Sequence, residues 1–255
     1  DGSGYGNRQD IVFGDNVTLS GNATISVDRT GLAGFPGSTA LNKTIQLGTL
    51  NIGNNTLTVT NTNGYGLEFT GLTTLTAATP TLSVSGGTAS NIVQGLVLAG
   101  KVTGASGIIK TGAGSLLLED ATNDFVGAIS VTGGVLAATS NGALGDLANT
   151  ITLNGTTATF RAADNITTSR TINFSNATAT NNVIEVVGNR VLQLNSPFGT
   201  TTNGFVKADN GVFEINAANP TFAGTTTINA RAVRLSNATG LGTSVISISP
   251  GAAVT

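Results

Sequence analysis

Few side chains in this sequence could do chemistry. The chain contains no His and no Cys. That excludes Ser-His-Asp and Cys-His nucleophilic systems, disulfides, and zinc sites built on those two residues. Carboxylates remain, and the densest cluster is Glu119, Asp120 and Asp124. A converging pair of carboxylates, or a carboxylate with an arginine, is what cleavage of an acidic polysaccharide would require. Adjacent residues on a strand face opposite ways, so Glu119 and Asp120 could converge only in a turn. Calcium takes about six to eight oxygens, and this loop supplies only part of such a set. Lys110 and Lys207 recur at a fixed spacing. A catalytic lysine must be buried with a depressed pKa. The expectation here is structural instead: a cover for a sheet edge, or a partner for a nearby carboxylate. The glycine clusters Gly2-Ser3-Gly4-Tyr5-Gly6 and Gly64-Tyr65-Gly66 precede no helix and lack the logic of a phosphate loop. No catalytic residue, cofactor or metal is expected, and the chain reads as a non-enzyme.

The elements that would position these residues are read from composition and pattern. Only 9% of the chain is charged, against about a quarter in an ordinary globular domain. With 39% hydrophobic residues, it is not a disordered chain, which would be polar or highly charged. The 11 Lys and Arg are scattered and the net charge is −2. Nucleic-acid binding needs clustered cations and stacking rings, so nucleic acid is not an expected partner. No apolar run approaches the ~18 residues of a membrane helix, so no membrane insertion by this segment is expected. The sequence opens Asp1-Gly2-Ser3-Gly4 without a signal peptide, which reads as a processed chain or a fragment.

Short runs with a period of two occur throughout, among them Thr24-Ile25-Ser26-Val27, Thr56-Leu57-Thr58-Val59-Thr60 and Val191-Leu192-Gln193-Leu194, bounded by Gly, Asn or Asp. They predict strands with one buried face. No segment has a 3.6-residue apolar period, so few or no helices are expected. Residues 107–145 and 204–242 are similar to each other, aligning without a gap at an offset of 97. Lys110, Gly114, Phe125, Gly127, Leu144 and Gly145 recur as Lys207, Gly211, Phe222, Gly224, Leu241 and Gly242. Repetition over short strands, with few aromatics, favours a β-solenoid over a sandwich. The prediction is an all-β, parallel β-helix forming a single body over residues 1–255. At ~20–25 residues per coil it would have roughly ten coils, and at ~4.8 Å per coil a length of about 50 Å. Residues 31–39 are expected to form a protruding loop. Phe125 and Phe222 read as rings plugging a coil corner, with Gly127 and Gly224 letting the backbone turn beneath them; the alternative is exposed rings that grip a sugar.

The first copy carries Lys110-Thr111-Gly112-Ala113-Gly114-Ser115-Leu116-Leu117-Leu118, then Asn123-Asp124-Phe125-Val126-Gly127, then Gly133-Gly134-Val135-Leu136 and Ala143-Leu144-Gly145. This series resembles the autotransporter-associated β-strand repeat. The second copy departs from it at Asp209, in place of the first motif glycine, and at Arg231, where the Gly-Gly pair would fall. The resemblance implies a right-handed parallel β-helix, secreted or at the surface of a bacterium, exported through an outer-membrane barrel that this segment does not contain.

The chain's last residues, Ala252, Ala253, Val254 and Thr255, read as part of a strand. Such an open edge would pair with another strand, so they are taken as an assembly edge. The functional expectation is a structural extracellular β-solenoid: an adhesive stalk, a surface-layer component or a filament subunit, associating head-to-tail or laterally. A glycan-binding adhesin passenger, recognising glycans or neighbouring cell surfaces, is one alternative. A β-helix polysaccharide lyase or hydrolase is the other.

Overall fold

Strand alternation dictates that every second residue of each short run leaves water, and the chain satisfies this by coiling. A computed structural model describes residues 9–28, 43–61, 64–86, 95–199 and 203–255; the loop expected at 31–39 lies outside them. Every strand pairing among the described residues is parallel. Two single-turn 3-10 segments, Gly142–Leu144 and Ala179–Asn181, are the only helical elements among them. The fold is the parallel β-helix that the sequence predicts.

Each coil has three sides. Side A stacks Gln9–Val12, Lys43–Leu47, Gly66–Phe69, Leu96–Leu98, Ser115–Leu118, the second halves of Ile129–Ala138 and Ile151–Ala162, then Asn182–Val186, Phe205–Ala208, Thr226–Ile228 and Ile246–Ile248. Side B stacks Ala23–Val27, Thr56–Asn61, Thr81–Val84, Ile108–Thr111, the first halves of the two long strands, and Ile172–Phe174. Side C runs from Val17–Leu19 through Leu50–Ile52 and Thr73–Leu75 to Val102–Gly104. It resumes at Ile166–Thr168 and continues through Val191–Leu194, Val212–Ile215 and Ala232–Leu235 to Ala253–Val254. The chain passes B to A to C in every coil.

The interior is filled by ladders of like residues. On side A, Ile45, Leu67, Leu96, Leu116, Leu136, Phe160 and Ile184 stack in register. From Leu67 through Ile184 these rungs have no exposed surface. Thin, repeated layers of this kind use aliphatic side chains in preferred rotamers and need few rings. The rings that are present concentrate late in the chain: Phe174, Phe198, Phe205 and Phe222 pack together, with Phe174 stacked on Phe205 at 4.8 Å. Val97, Leu117, Ala137 and Ala163 form a second buried cluster.

The two similar segments do not occupy the same sides. Ile108–Thr111 lies on side B, between Thr81–Val84 and Ile129–Ala138. Its counterpart Phe205–Ala208 lies on side A, stacked on Asn182–Val186. Ser115–Leu118 is on side A, whereas Val212–Ile215 is on side C. An offset of 97 residues is therefore four coils plus one side. The left-handed corner residues move with it. Gly112, Gly134 and Thr157 hold positive φ at the corner between sides B and A, and Asn189, Asp209, Arg231 and Gly251 hold it between A and C. Asp209 (φ 63°) and Arg231 (φ 59°) keep the backbone conformation of their counterparts Gly112 (φ 78°) and Gly134 (φ 64°). The second copy has lost the glycines but not the turns they form.

Candidate functional site

The carboxylates of the first copy do not form an acid–base pair. Asp120 accepts hydrogen bonds from the Thr122 N–H at 2.7 Å and the Thr122 hydroxyl at 2.6 Å, closing a local turn. Those two bonds hold its carboxyl below the usual range. Asp124 is paired with Lys101 at 2.6 Å, and that contact likewise keeps its carboxyl low. A general acid needs its pKa raised, and both groups are pushed the other way. Among the described residues no three carboxylates gather as a metal would need.

The two recurring lysines differ from the expectation of an edge cover or an ion pair. Lys110 and Lys207 have no exposed surface, and each is a rung in an aliphatic ladder. Lys110 stands between Leu82 and Val131 on side B, and Lys207 between Ile184 and Ile228 on side A. Their methylene stems pack as apolar rungs and the ammonium reaches the corner of the coil. Lys110 Nζ donates to the carbonyls of Thr111 (2.8 Å), Gly112 (2.9 Å) and Gly133 (3.0 Å). Lys207 Nζ donates to those of Ala208 (2.8 Å), Asp209 (2.7 Å) and Ala230 (3.5 Å). The left-handed corner turns its carbonyls inward, and the ammonium ties two successive coils through them. Burial lowers Lys110 to about 7. Burial also lowers Lys207, to about 8, against the opposing pull of Asp209 and Glu185. Enclosed in this way, neither amine is presented to a substrate.

Phe125 and Phe222 are buried, so neither ring is available to stack on a sugar. Beneath them Gly127 and Gly224 bring neighbouring coils together: a Cβ on Gly127 would collide with the Gly107 nitrogen, and one on Gly224 with the Gly204 nitrogen. Gly114 and Gly211 meet the preceding coil in the same manner, against Gly86 and Val186 respectively. Leu144 and Leu241 are buried, and Gly145 and Gly242 follow them with positive φ. Ala253 and Val254 pair with Ala232 and Val233. Ala252 and Val254 are partly buried against the core, and Thr255 exchanges backbone hydrogen bonds with Val233 and Leu235.

Two groups of residues were given no role by sequence reasoning. Arg170 is almost wholly buried. Its guanidinium donates to the carbonyls of Gly145 (2.6 Å), Asn141 (3.0 Å) and Asp146, and to Asn141 Oδ1 (3.0 Å), closing the Ala-Leu-Gly corner of the first copy. The second group is a pair of asparagines. Asn123 accepts from the Val102 N–H at 2.6 Å and donates to the Ala143 carbonyl at 2.7 Å. Asn219 accepts from the Phe198 N–H at 2.6 Å and donates to the Gly240 carbonyl at 2.9 Å. These are equivalent bridges between three successive coils. The ungapped alignment hides them, because it sets Asn219 opposite Thr122. The legible signal was an Asn two or three residues before the motif Phe.

The site that emerges is a scaffold: buried cations and amides whose partners are backbone groups of adjacent coils. It defines a repetitive β-solenoid whose successive coils are tied to one another through the backbone. Comparison with known proteins agrees. The passenger-associated-transport-repeat matches residues 108–138 and 205–230, one stretch inside each similar segment. The chain is also similar to the adhesin BmaC autotransporter of Brucella suis biovar 1 (strain 1330), 42% identical over 92 residues. That match covers 36% of this chain and 2% of the adhesin's length. No solved structure matches. The chain carries repeats similar to those of autotransporter passengers, which are secreted or exposed at the cell surface.

Proposed function

We propose that the chain is a rigid adhesive stalk segment of a surface adhesin, its own outer face making contact with a neighbouring surface. The observation that carries this reading is the chemistry of the interior. The buried lysines and Arg170 are spent on backbone carbonyls, the repeated motif residues are coil-to-coil contacts, and Asp120 and Asp124 are held below the usual carboxylate range by a local turn and by Lys101. Similarity to a Brucella adhesin supports adhesion over catalysis. The test is display: beads coated with the chain are measured for retention on epithelial cell layers against beads coated with a heat-unfolded sample. Retention that depends on the folded chain is expected, and equal retention of the two samples refutes the proposal.

A further inference from the structure

The 11 cationic residues are scattered along the sequence, but folding gathers three of the seven arginines. Arg190, Arg231 and Arg234 line one groove of about 250 Å³ at the corner between sides A and C, together with Asn189, Val191, Asn210, Gly211 and Val212. Register explains the opening. Val191 pairs with Val212, and Val212 with Ala232. Arg190, Gly211 and Arg231, the residues just before each of these, therefore stand one above another. Glycine in the middle leaves a gap where a side chain would bridge the two arginines. Two coil spacings separate those arginines, about 10 Å along the rod.

The charges are unequally committed. Arg234 pairs with Glu214 at 2.8 Å. Arg190 Nε lies 2.9 Å from Asp164 Oδ1 but off the donor axis, leaving that N–H without a hydrogen bond. Asp209, beside the groove, is turned back on the Asn210 N–H. Arg231 is exposed, and no hydrogen bond or ion pair of its side chain occurs among the described residues. It also occupies a left-handed position, φ 59°, where the first copy has Gly134 and where an L side chain costs energy.

We propose that this groove binds an acidic glycan, its carboxylate or sulfate held by Arg231 and Arg190, its hydroxyls by Asn189 and Asn210, and its ring edge resting on Val191 and Val212. Planar guanidinium forks match both anions. The proposal rests on the adhesive reading above and names what the surface would grip.

The test titrates the whole chain with heparin oligosaccharide, which carries sulfate and carboxylate, with polygalacturonate, which carries carboxylate alone, and with neutral dextran. Binding to at least one acidic glycan is expected, weakening as salt rises, with none to dextran. Arg231→Gly restores the glycine of the first copy, so it is expected to fold at least as stably while binding about tenfold more weakly. Arg161→Gln, outside the groove, is expected to bind as the parent does. Equal binding by Arg231→Gly, equal binding of dextran, or no acidic-glycan binding overturns the proposal. Cell-layer retention measured on the same beads separates the two readings: retention without acidic-glycan binding removes this site alone, and glycan binding without retention removes the adhesive role alone.

Discussion

Stability should rise as the solution is made alkaline, and Lys110 and Lys207 are the cause. In the unfolded chain each lysine titrates near 10.5; in the coil burial brings Lys110 to about 7 and Lys207 to about 8. A folded pKa below the unfolded one means that the unfolded chain binds more protons between the two values. Stability therefore increases with pH from about 7 to 10.5 for Lys110 and from about 8 to 10.5 for Lys207, and is flat with respect to these groups below their folded values. One lysine gives a slope of at most about 1.4 kcal/mol per pH unit. With folded values of about 7 and 8, a combined rise of about 3 kcal/mol between pH 8 and 9.5 is expected. Urea denaturation at half-unit intervals of pH reads it directly. Lys110→Met should remove part of the slope, Lys207→Met another part, and the double variant should be level. A parent chain with level stability over this range, or a double variant that keeps the slope, would refute the account of both lysines as buried rungs.

Three further outcomes follow from the packing. Arg170→Lys keeps the charge but cannot reach the same set of acceptors; a loss of about 3 kcal/mol is expected, read as a lower urea midpoint. Gly127→Ala drives a methyl into the neighbouring coil at a positive-φ position. An ordinary Gly→Ala change stabilises by about 0.4–1 kcal/mol, whereas this one should destabilise and open the first copy to proteolysis; Gly21→Ala, with open space around it, should not. Phe222→Ala leaves a cavity beside Phe174, Phe198 and Phe205 and should cost about 3–5 kcal/mol, measured by thermal unfolding.

The sequence made the strands and their stacking legible because alternation and repetition are local signals. Leu116 and Leu118, for example, declare an inward face by spacing alone. The side on which a strand lies is not local. Rungs on side A are 20 residues apart from Leu96 to Leu116 but 24 apart from Leu136 to Phe160, and such corner insertions accumulate until a repeat of 97 residues lands one side further round. The lysines were legible as repeated residues and illegible as buried ones. Burial of an ammonium depends on carbonyls turned inward by Gly112 and Asp209, which only the coil geometry brings near. The groove of arginines was invisible for the same reason: Arg190 and Arg231 are neighbours through Gly211, a residue from the intervening coil.

The one-side advance between the copies has a consequence for valency. Duplication usually lets a rod offer the same patch twice along one line, so that a flat partner meets both and gains avidity. Here the two copies look outward in directions about a third of a turn apart, as a three-sided coil requires. A planar surface lying against this segment can touch one copy or the other. A partner able to engage both copies of this segment would have to wrap the shaft.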